Sequence, residues 1–362
     1  MKIALVYDAV YPYVKGGVEK RLYDLATGLA KRHEVHVFGM KFWPGGKVIK
    51  IDGVFYHGVC SAKRLYKKNG KRGMFQPLFF STLLSKELLK HDFDIIDCQN
   101  FPYLPFFSAK AYSLLKGKPL VVTWHEYWGD YWYDYLGPAG IFGKLIERTV
   151  LRMSKNNISV SRHTLRKLGR NGVRSVLVPI SFDFERISAA MPAGEKTDII
   201  FAGRLNKEKN VRLLLKSLAV LKGGSKEPSC VIIGDGPERE GLQKMAASLG
   251  LERTRFVGFL PEDNVYSCMK SAGVFVSTSY REGFGMAAME ALLCGCGLVT
   301  VNHENNAVKD LVSDEFISDI DEKSLAKKIL WALSGPRLAR KNDYRSQDEM
   351  AEEVEKFYGA LK

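Results

Sequence analysis

GVFVSTSYREGFGMAAMEALLCGCGLVTV, residues 273–301, decides the fold. Val274 to Val276 form an apolar run with no polar alternation, as in a strand buried on both faces. SYREGFG then breaks the pattern with two glycines, and MAAMEALLCG reads as a short apolar helix stopped by Gly295. GLVTV is the next buried strand. Strand, loop, helix and strand in that order, with connections this short, predict a parallel sheet covered by helices.

The same alternation extends outward in both directions. Upstream, TDIIFAG, SCVIIGDG and RFVGFL complete one series of strands, and KIALVY, EVHVF, FDIIDC, PLVVTW, NNISVS and SVLVP make another. Two doubly wound domains are therefore expected, 1–180 and 181–340, which suits a 362-residue chain too long for one hydrophobic core. Residues 178–198 read as the linker because helical periodicity is lost and Pro179, Pro192 and Gly194 intervene. In the segment 341–362, Met350, Val354, Tyr358 and Leu361 share a helical face, so a C-terminal helix that packs back toward the first domain is expected.

A hydrophobic content of 46% with 26% charged residues excludes a disordered or fibrous chain. Six scattered cysteines predict no disulfide framework and fit a cytoplasmic protein. Asp8 ends the apolar run of KIALVY too early for a signal peptide, and no stretch is long enough for a membrane-spanning helix. The net charge of +14 is uneven: residues 1–180 hold 29 Lys+Arg against 13 Asp+Glu, giving +16, and the remainder 25 against 27, giving −2. The first half is thus expected to face something anionic. Residues 61–80, SAKRLYKKNGKRGMFQPLFF, interleave six basic residues with aromatics and point to an anionic membrane surface, with a peripheral location on its cytoplasmic face. High basicity alone also permits nucleic-acid binding, but no zinc-finger, helix-turn-helix or RNP-like signature supports it, so no nucleic-acid partner is expected.

Four stretches carry candidate chemistry at strand ends. Gly16 and Gly17 precede a helix after the first strand, where backbone amides can approach an anion. Arg204 and Lys209 in FAGRLNKEKN sit on the loop after the first strand of the second domain, suited to neutralising a diphosphate. GDGPERE lacks the third glycine of a dinucleotide fingerprint, with Arg239 in its place, so Gly234 and Gly236 read as a tight turn followed by Pro237 at a helix start. In REGFGMAAME, the amides of Phe284, Gly285 and Met286 are helix-start donors. Glu282 and Glu290 flank them, eight residues apart and roughly 12 Å along a helix axis. Two D-x-D pairs, Asp92/Asp94 and Asp319/Asp321, read as a strand approach and a helix cap rather than a metal site.

REGFGMAAMEALLCG resembles the Glu-x7-Glu motif of the retaining glycosyltransferases of family 4, and YPYVKGG, VVTWHE, GRLNKEKN and GDGPE occur in that family's order across nearly the whole chain. The resemblance implies the α/β GT-B fold, two Rossmann-like domains facing a central cleft. It also implies transfer of a hexosyl unit from a UDP- or GDP-sugar to a hydroxyl acceptor, lipid-linked or a growing glycan, with no cofactor and no metal. Carried over residue by residue, it assigns Glu282 and His125 to the donor sugar, and the amides at Phe284, Gly285 and Met286 to sugar and phosphate. Glu290 falls to the ribose, and Arg204 and Lys209 to the diphosphate, with Gly16 and Gly17 supporting it. Two departures, VPISFDFERI after the last strands of the first domain and Met286-Ala287-Ala288 within the motif, leave the donor hexose open. A nucleotide-sugar epimerase of the same fold remains the alternative within enzymes.

Overall fold

The computed structural model describes residues 1–62, 73, 75–224, 227–335 and 344–361. Among these, the chain forms two compact units: one of residues 1–181 and 344–361, the other of residues 182–335.

The first unit is built on an eight-stranded sheet: β1 (Lys2–Val6), β2 (Glu34–Lys41), β3 (Val48–Ile51), β4 (Val54–Ser61), β5 (Ile95–Gln99), β6 (Leu120–Trp124), β7 (Asn156–Ser159) and β8 (Val176–Leu177), in the order β3-β4-β2-β1-β5-β6-β7-β8. All neighbours are parallel except β3 and β4. That pair is a hairpin turned by Asp52 and Gly53, with φ of 49° and 82°, the left-handed pair of a type I′ turn. β5 and β6 are buried at every position, as their continuous apolar reading requires.

The helix Gln347–Gly359 belongs to this unit and packs on the helix Gly17–Ala30. Ser346 starts it with a reciprocal capping box, its hydroxyl accepting from the Glu349 amide while the Glu349 carboxylate accepts from the Ser346 amide. Met350, Val354 and Tyr358 are fully buried, and Leu361 is half-buried. Each such side chain contributes roughly 1.5–3 kcal/mol. The ion pairs along the edge, Lys31 to Asp348 and Arg32 to Glu352 and Glu355, are exposed and contribute about 0–1 kcal/mol each, so packing decides the docking.

The second unit carries a six-stranded parallel sheet: β9 (Thr197–Ala202), β10 (Cys230–Ile233), β11 (Thr254–Gly258), β12 (Ala272–Ser277), β14 (Gly297–Val301) and β16 (Ile317–Ser318), ordered β11-β10-β9-β12-β14-β16. Between them, β13 (Arg281–Glu282) and β15 (Asn305–Asn306) form a small separate pair. Both sheets are doubly wound, as the alternation of strands and helices predicts. Their strand order reverses between β1 and β5 in one unit and between β9 and β12 in the other, the positions where open α/β sheets bind ligands beyond the strand ends.

The stretch 178–198 is more ordered than its loss of periodicity suggests. Val178, Ile180 and Phe182 are buried, and a helix, Phe184–Ala189, is capped by the Asp183 carboxylate accepting from the Arg186 amide at 2.9 Å. One helical turn is too short for a periodic signal, but an Asp cap precedes it.

Candidate functional site

The loops leaving β9 and β12 meet at the reversal of the second sheet. Gly203 opens the first, and the Gly234 backbone passes so close that a Cβ there would sit 1.9 Å from the Gly203 carbonyl oxygen. With φ of +126°, Gly234 excludes other residues on both counts. Leu205 donates its amide to the Asp235 carbonyl at 2.9 Å. The GDG stretch is therefore a backbone buttress for the loop bearing Arg204 and Lys209, and its helix begins only at Arg239, two residues beyond Pro237.

Asn206 turns that loop, its side chain accepting from the Lys209 amide at 3.1 Å, and Asn210 follows in left-handed conformation. The Thr278 hydroxyl donates to the Lys209 carbonyl at 2.8 Å, and the Tyr280 amide to the Glu208 carbonyl at 2.9 Å, which tie the two loops together. Across this seam the Lys209 ammonium pairs with the Glu282 carboxylate, both side chains largely covered. Ser279 donates to the same carboxylate oxygen at 3.2 Å. Arg204 is exposed on the loop before them.

Glu282 is held from the other side through β13. It pairs with Asn306 of β15, whose buried amide donates to Thr300 Oγ1 at 3.0 Å and to the Val301 carbonyl at 2.9 Å. The helix that follows runs Met286–Leu293, with Gly285 at its N-cap in the left-handed region, φ +92°. As a glycine, Gly285 offers no side chain to cap this helix start. The Phe284 ring is buried, with its centroid 6.0 Å from that of Phe182, so its side chain serves packing while its backbone sits at the helix start. The helix ends in a Schellman motif, the Cys296 amide bonding the Ala291 carbonyl and Gly295 that of Leu292.

This geometry corrects one expectation. The interval from Glu282 to Glu290 is helical only from Met286, so helical rise accounts for about 6 Å rather than about 12 Å. A left-handed glycine in the loop before the helix makes the remainder a turn. Glu290 is half-buried and accepts from the Tyr266 hydroxyl at 3.3 Å; burial first and the Glu290 charge second push the phenol pKa up, so it keeps the proton it donates.

In the first unit, His125 follows β6. Its amide donates to Asn100 Oδ1 at 3.0 Å, its carbonyl accepts from Thr164 at 3.2 Å, and its Nε2 lies 2.8 Å from Gln99 Oε1. Burial first, and the nearby Arg21 charge second, hold its pKa well below the ordinary range, so the ring is neutral at physiological pH. Gly16 caps the helix Gly17–Ala30 in extended conformation. A Cβ there would lie 2.4 Å from Glu19 Oε2, so a buried carboxylate covers this helix start, a neighbour the glycine pair alone did not disclose.

Three of the four D-x-D aspartates have structural partners, and Asp319 bonds through its backbone amide to Ser324 Oγ at 3.2 Å. Asp94 accepts from the Lys2 amide at 2.8 Å, Asp92 pairs with Lys118 at 3.7 Å, and Asp321 caps the helix Glu322–Ser334 through the amides of Lys323 and Ser324. Among the described residues no group of three or more His, Cys, Asp or Glu side chains could hold a metal ion. Of the basic segment 61–80, residues 63–72 and 74 lie outside the described residues. The described remainder exposes Phe75, Leu78 and Phe79 on the helix Phe75–Leu88. No helix among the described residues is long and apolar enough to cross a membrane.

Residues 183–350 match the family model described as glycosyl transferases group 1, and residues 15–186 match that described as glycosyltransferase family 4. A 2-deoxystreptamine N-acetyl-D-glucosaminyltransferase from Streptomyces fradiae is 36% identical over 126 residues, 34% of this chain and 30% of that enzyme. Other matched stretches likewise span less than half of the relatives' length. A Campylobacter jejuni α-1,4-N-acetyl-D-galactosaminyltransferase, named for a diphospho-undecaprenol-linked saccharide, is 26% identical over 348 residues, covering 91% of this chain and 88% of that one. Among solved structures, Anabaena HepE in complex with UDP-glucose superposes with a TM-score of 0.71 at 17% identity, covering all of both chains. Between them the two family models take in residues 15–350, and the chain belongs to the family 4 glycosyltransferases, which have the GT-B fold.

Proposed function

We propose that this chain transfers a hexosyl unit, with retention and without a metal ion, from a UDP- or GDP-sugar to a hydroxyl acceptor that is lipid-linked or part of a growing glycan. The observation that carries this reading is the Lys209–Glu282 pair at the strand-order reversal of the second unit, beside a helix start N-capped by a glycine. A nucleoside diphosphate leaves as an anion, so its developing charge needs stabilising rather than protonation. Lys209 and Arg204 supply cations, and the amides at Phe284, Gly285 and Met286 supply oriented donors at the positive end of a helix. When the diphosphate takes Lys209, Glu282 gives up its cation and becomes an acceptor for sugar hydroxyls. Glu290, eight residues on, accepts from the ribose. Gly16, Gly17 and neutral His125 of the first unit keep, as part of this proposal, the roles that the family resemblance gives them, at the diphosphate and the sugar.

Lipid-linked acceptors enter through the Campylobacter relative, and UDP-linked donors through the Anabaena structure. The basic and aromatic segment 61–80, with Phe75, Leu78 and Phe79 exposed at its end, suits a surface contact with anionic lipid.

The test is incubation of the purified chain with UDP- and GDP-hexoses, with and without polyprenyl-diphosphate saccharides, in EDTA, with the anomeric configuration of the product read by NMR. An acceptor-dependent product that keeps the donor's configuration is expected. Interconversion of free nucleotide sugars without acceptor would move the assignment to an epimerase. Loss of transfer in EDTA with recovery on manganese would overturn the metal-free mechanism.

A further inference from the structure

Asp97 is fully buried in β5, yet it is surrounded by hydrogen-bond donors. The Tyr358 hydroxyl donates to it at 2.7 Å, Thr123 Oγ1 lies 2.9 Å from both its oxygens, and Gln99 Nε2 donates at 3.2 Å. The Arg21 guanidinium, equally buried, acts on the same carboxylate by its charge, although none of its three nitrogens has a hydrogen-bond partner among the described residues. Such an arrangement is an expensive way to fill a core, since well-packed apolar side chains often replace buried charges at no loss of stability. What it supplies instead is orientation. Burial pushes the Asp97 carboxyl pKa up, while hydrogen bonds from Tyr358 and Thr123 and the Arg21 charge pull it back toward the ionised form. In that form the carboxylate only accepts, and Gln99 turns its NH2 toward Asp97 and its Oε1 toward His125. His125 Nε2, 2.8 Å from that oxygen, must then carry the proton. Nδ1 is left with a lone pair and has no hydrogen-bond partner among the described residues.

We propose that Tyr358, on the C-terminal helix, is a positioning residue that acts through Asp97 and Gln99 to hold His125 in its Nε2–H tautomer, with Nδ1 presented as the acceptor for a substrate hydroxyl. The logic is reversible. If the side chain at position 97 could donate, the Gln99 amide would turn over, its NH2 would face Nε2, and the proton would move to Nδ1. Against the upward push of burial, the Tyr358 and Thr123 hydroxyls and the Arg21 charge favour Asp97 as an acceptor, and the helix Gln347–Gly359 delivers one of those hydroxyls. The inference rests on the reading that His125 acts on substrate in the transfer, but its structural half stands apart from activity.

The experiment is ¹⁵N-edited NMR of the imidazole nitrogens in the full chain at pH 7.5, with His125 assigned among the seven histidines by comparison with His125→Asn. The wild-type ring is expected as Nε2–H, Asp97→Asn as predominantly Nδ1–H, and Tyr358→Phe as a mixture. Transfer kinetics of the folded variants should show kcat lowered roughly 10- to 100-fold with donor KM changed less than about twofold, as expected for a misoriented group rather than a lost binding contact. A wild-type Nδ1–H ring overturns the proposal and needs no variant. So does a Tyr358→Phe or Asp97→Asn chain that loses thermal stability while its His125 tautomer and kcat stay at wild-type values. If the tautomers behave as expected but His125→Ala transfers at the wild-type rate, the relay stands and the role given to His125 fails.

Discussion

Gly285 is the position at which the backbone geometry of the proposed donor site can be tested through stability. Its φ of +92° and ψ of 55° start the helix Met286–Leu293, and a Cβ at this position would lie 2.4 Å from Val308 Cγ2. Gly285→Ala therefore meets two separable costs. The left-handed backbone costs an L-residue about 1–2 kcal/mol, and forcing a methyl into a packed site costs about 1–3 kcal/mol. The sum, about 2–5 kcal/mol, is a large share of a domain's stability. Val308→Ala removes the atom that clashes and leaves the backbone strain. In the Val308→Ala background the glycine substitution should thus cost only about 1–2 kcal/mol. Trp331 is the one tryptophan in residues 182–335, so urea unfolding of 5-fluorotryptophan-labelled chain, followed by ¹⁹F NMR, reads this unit directly. Because the substitution shifts the helix start, donor affinity should fall along with stability. Costs that add within about 0.5 kcal/mol would refute the Val308 contact, and a Gly285→Ala chain as stable as wild type would refute the left-handed cap.

Lys209→Met should lower kcat/KM for transfer by about 10²- to 10³-fold, the loss typical of one charge-stabilising donor, and Glu282→Gln should be costly too. Because the two side chains touch, their effects should be non-additive by about 0.5–3 kcal/mol in a double-mutant cycle, and strict additivity would count against a shared site. The chain should co-sediment with vesicles containing phosphatidylserine at low salt and be released as ionic strength rises; equal recovery with neutral vesicles would remove the lipid contact. Stability should also fall in acid through His57, which stacks on Phe38 and shares a 2.7 Å hydrogen bond with His36. Burial, and then the His36 charge, lower its pKa from 6.5 to about 3, so the unfolded chain takes up a proton that the folded chain refuses. The contribution is fully present above pH 6.5 and is lost as pH falls toward 3, with roughly 2 kcal/mol already lost at pH 5. A His57→Gln chain with an unchanged slope of stability between pH 7 and 5 would contradict this.

Strand-helix alternation was legible because parallel strands buried on both faces read as unbroken apolar runs, and neither TDIIFAG nor GLVTV has another plausible reading. What escaped was short or distant. β13 and β15 are two residues long, below any period, although they fix Glu282. The Asp52-Gly53 turn between Ile51 and Val54 carries a hairpin signal, but β3, the strand before it, is short and flanked by basic and glycine-rich sequence that masks it. The glycines of GDGPE read locally as a turn, but they serve the close approach of another loop, Gly234 to Gly203 and Gly236 to Leu205. Lys209 and Glu282 lie 73 residues apart, and only the strand order brings them together. Once β9 and β12 are known to flank the reversal, the loops that leave them have to be neighbours.

The relay behind His125 shows how far such a reading can extend. In FDIIDCQN, Asp97 and Gln99 are two residues apart on one strand and therefore point to the same face, while Ile96 and Cys98 point to the other. A strand buried at all five positions that places two polar side chains on one face needs a hydrogen-bond network there, since each buried polar group left unpaired costs about 1–3 kcal/mol. That much is open to inspection of eight letters. The donor that completes the network is not, because Tyr358 lies 261 residues downstream on a helix whose spacing marks it simply as core. Its ring does belong to the core, and its hydroxyl is the only part that distinguishes it from phenylalanine. The Tyr358→Phe substitution consequently removes one oxygen while keeping the packing of the helix, which lets an effect on His125 be separated from an effect on the fold.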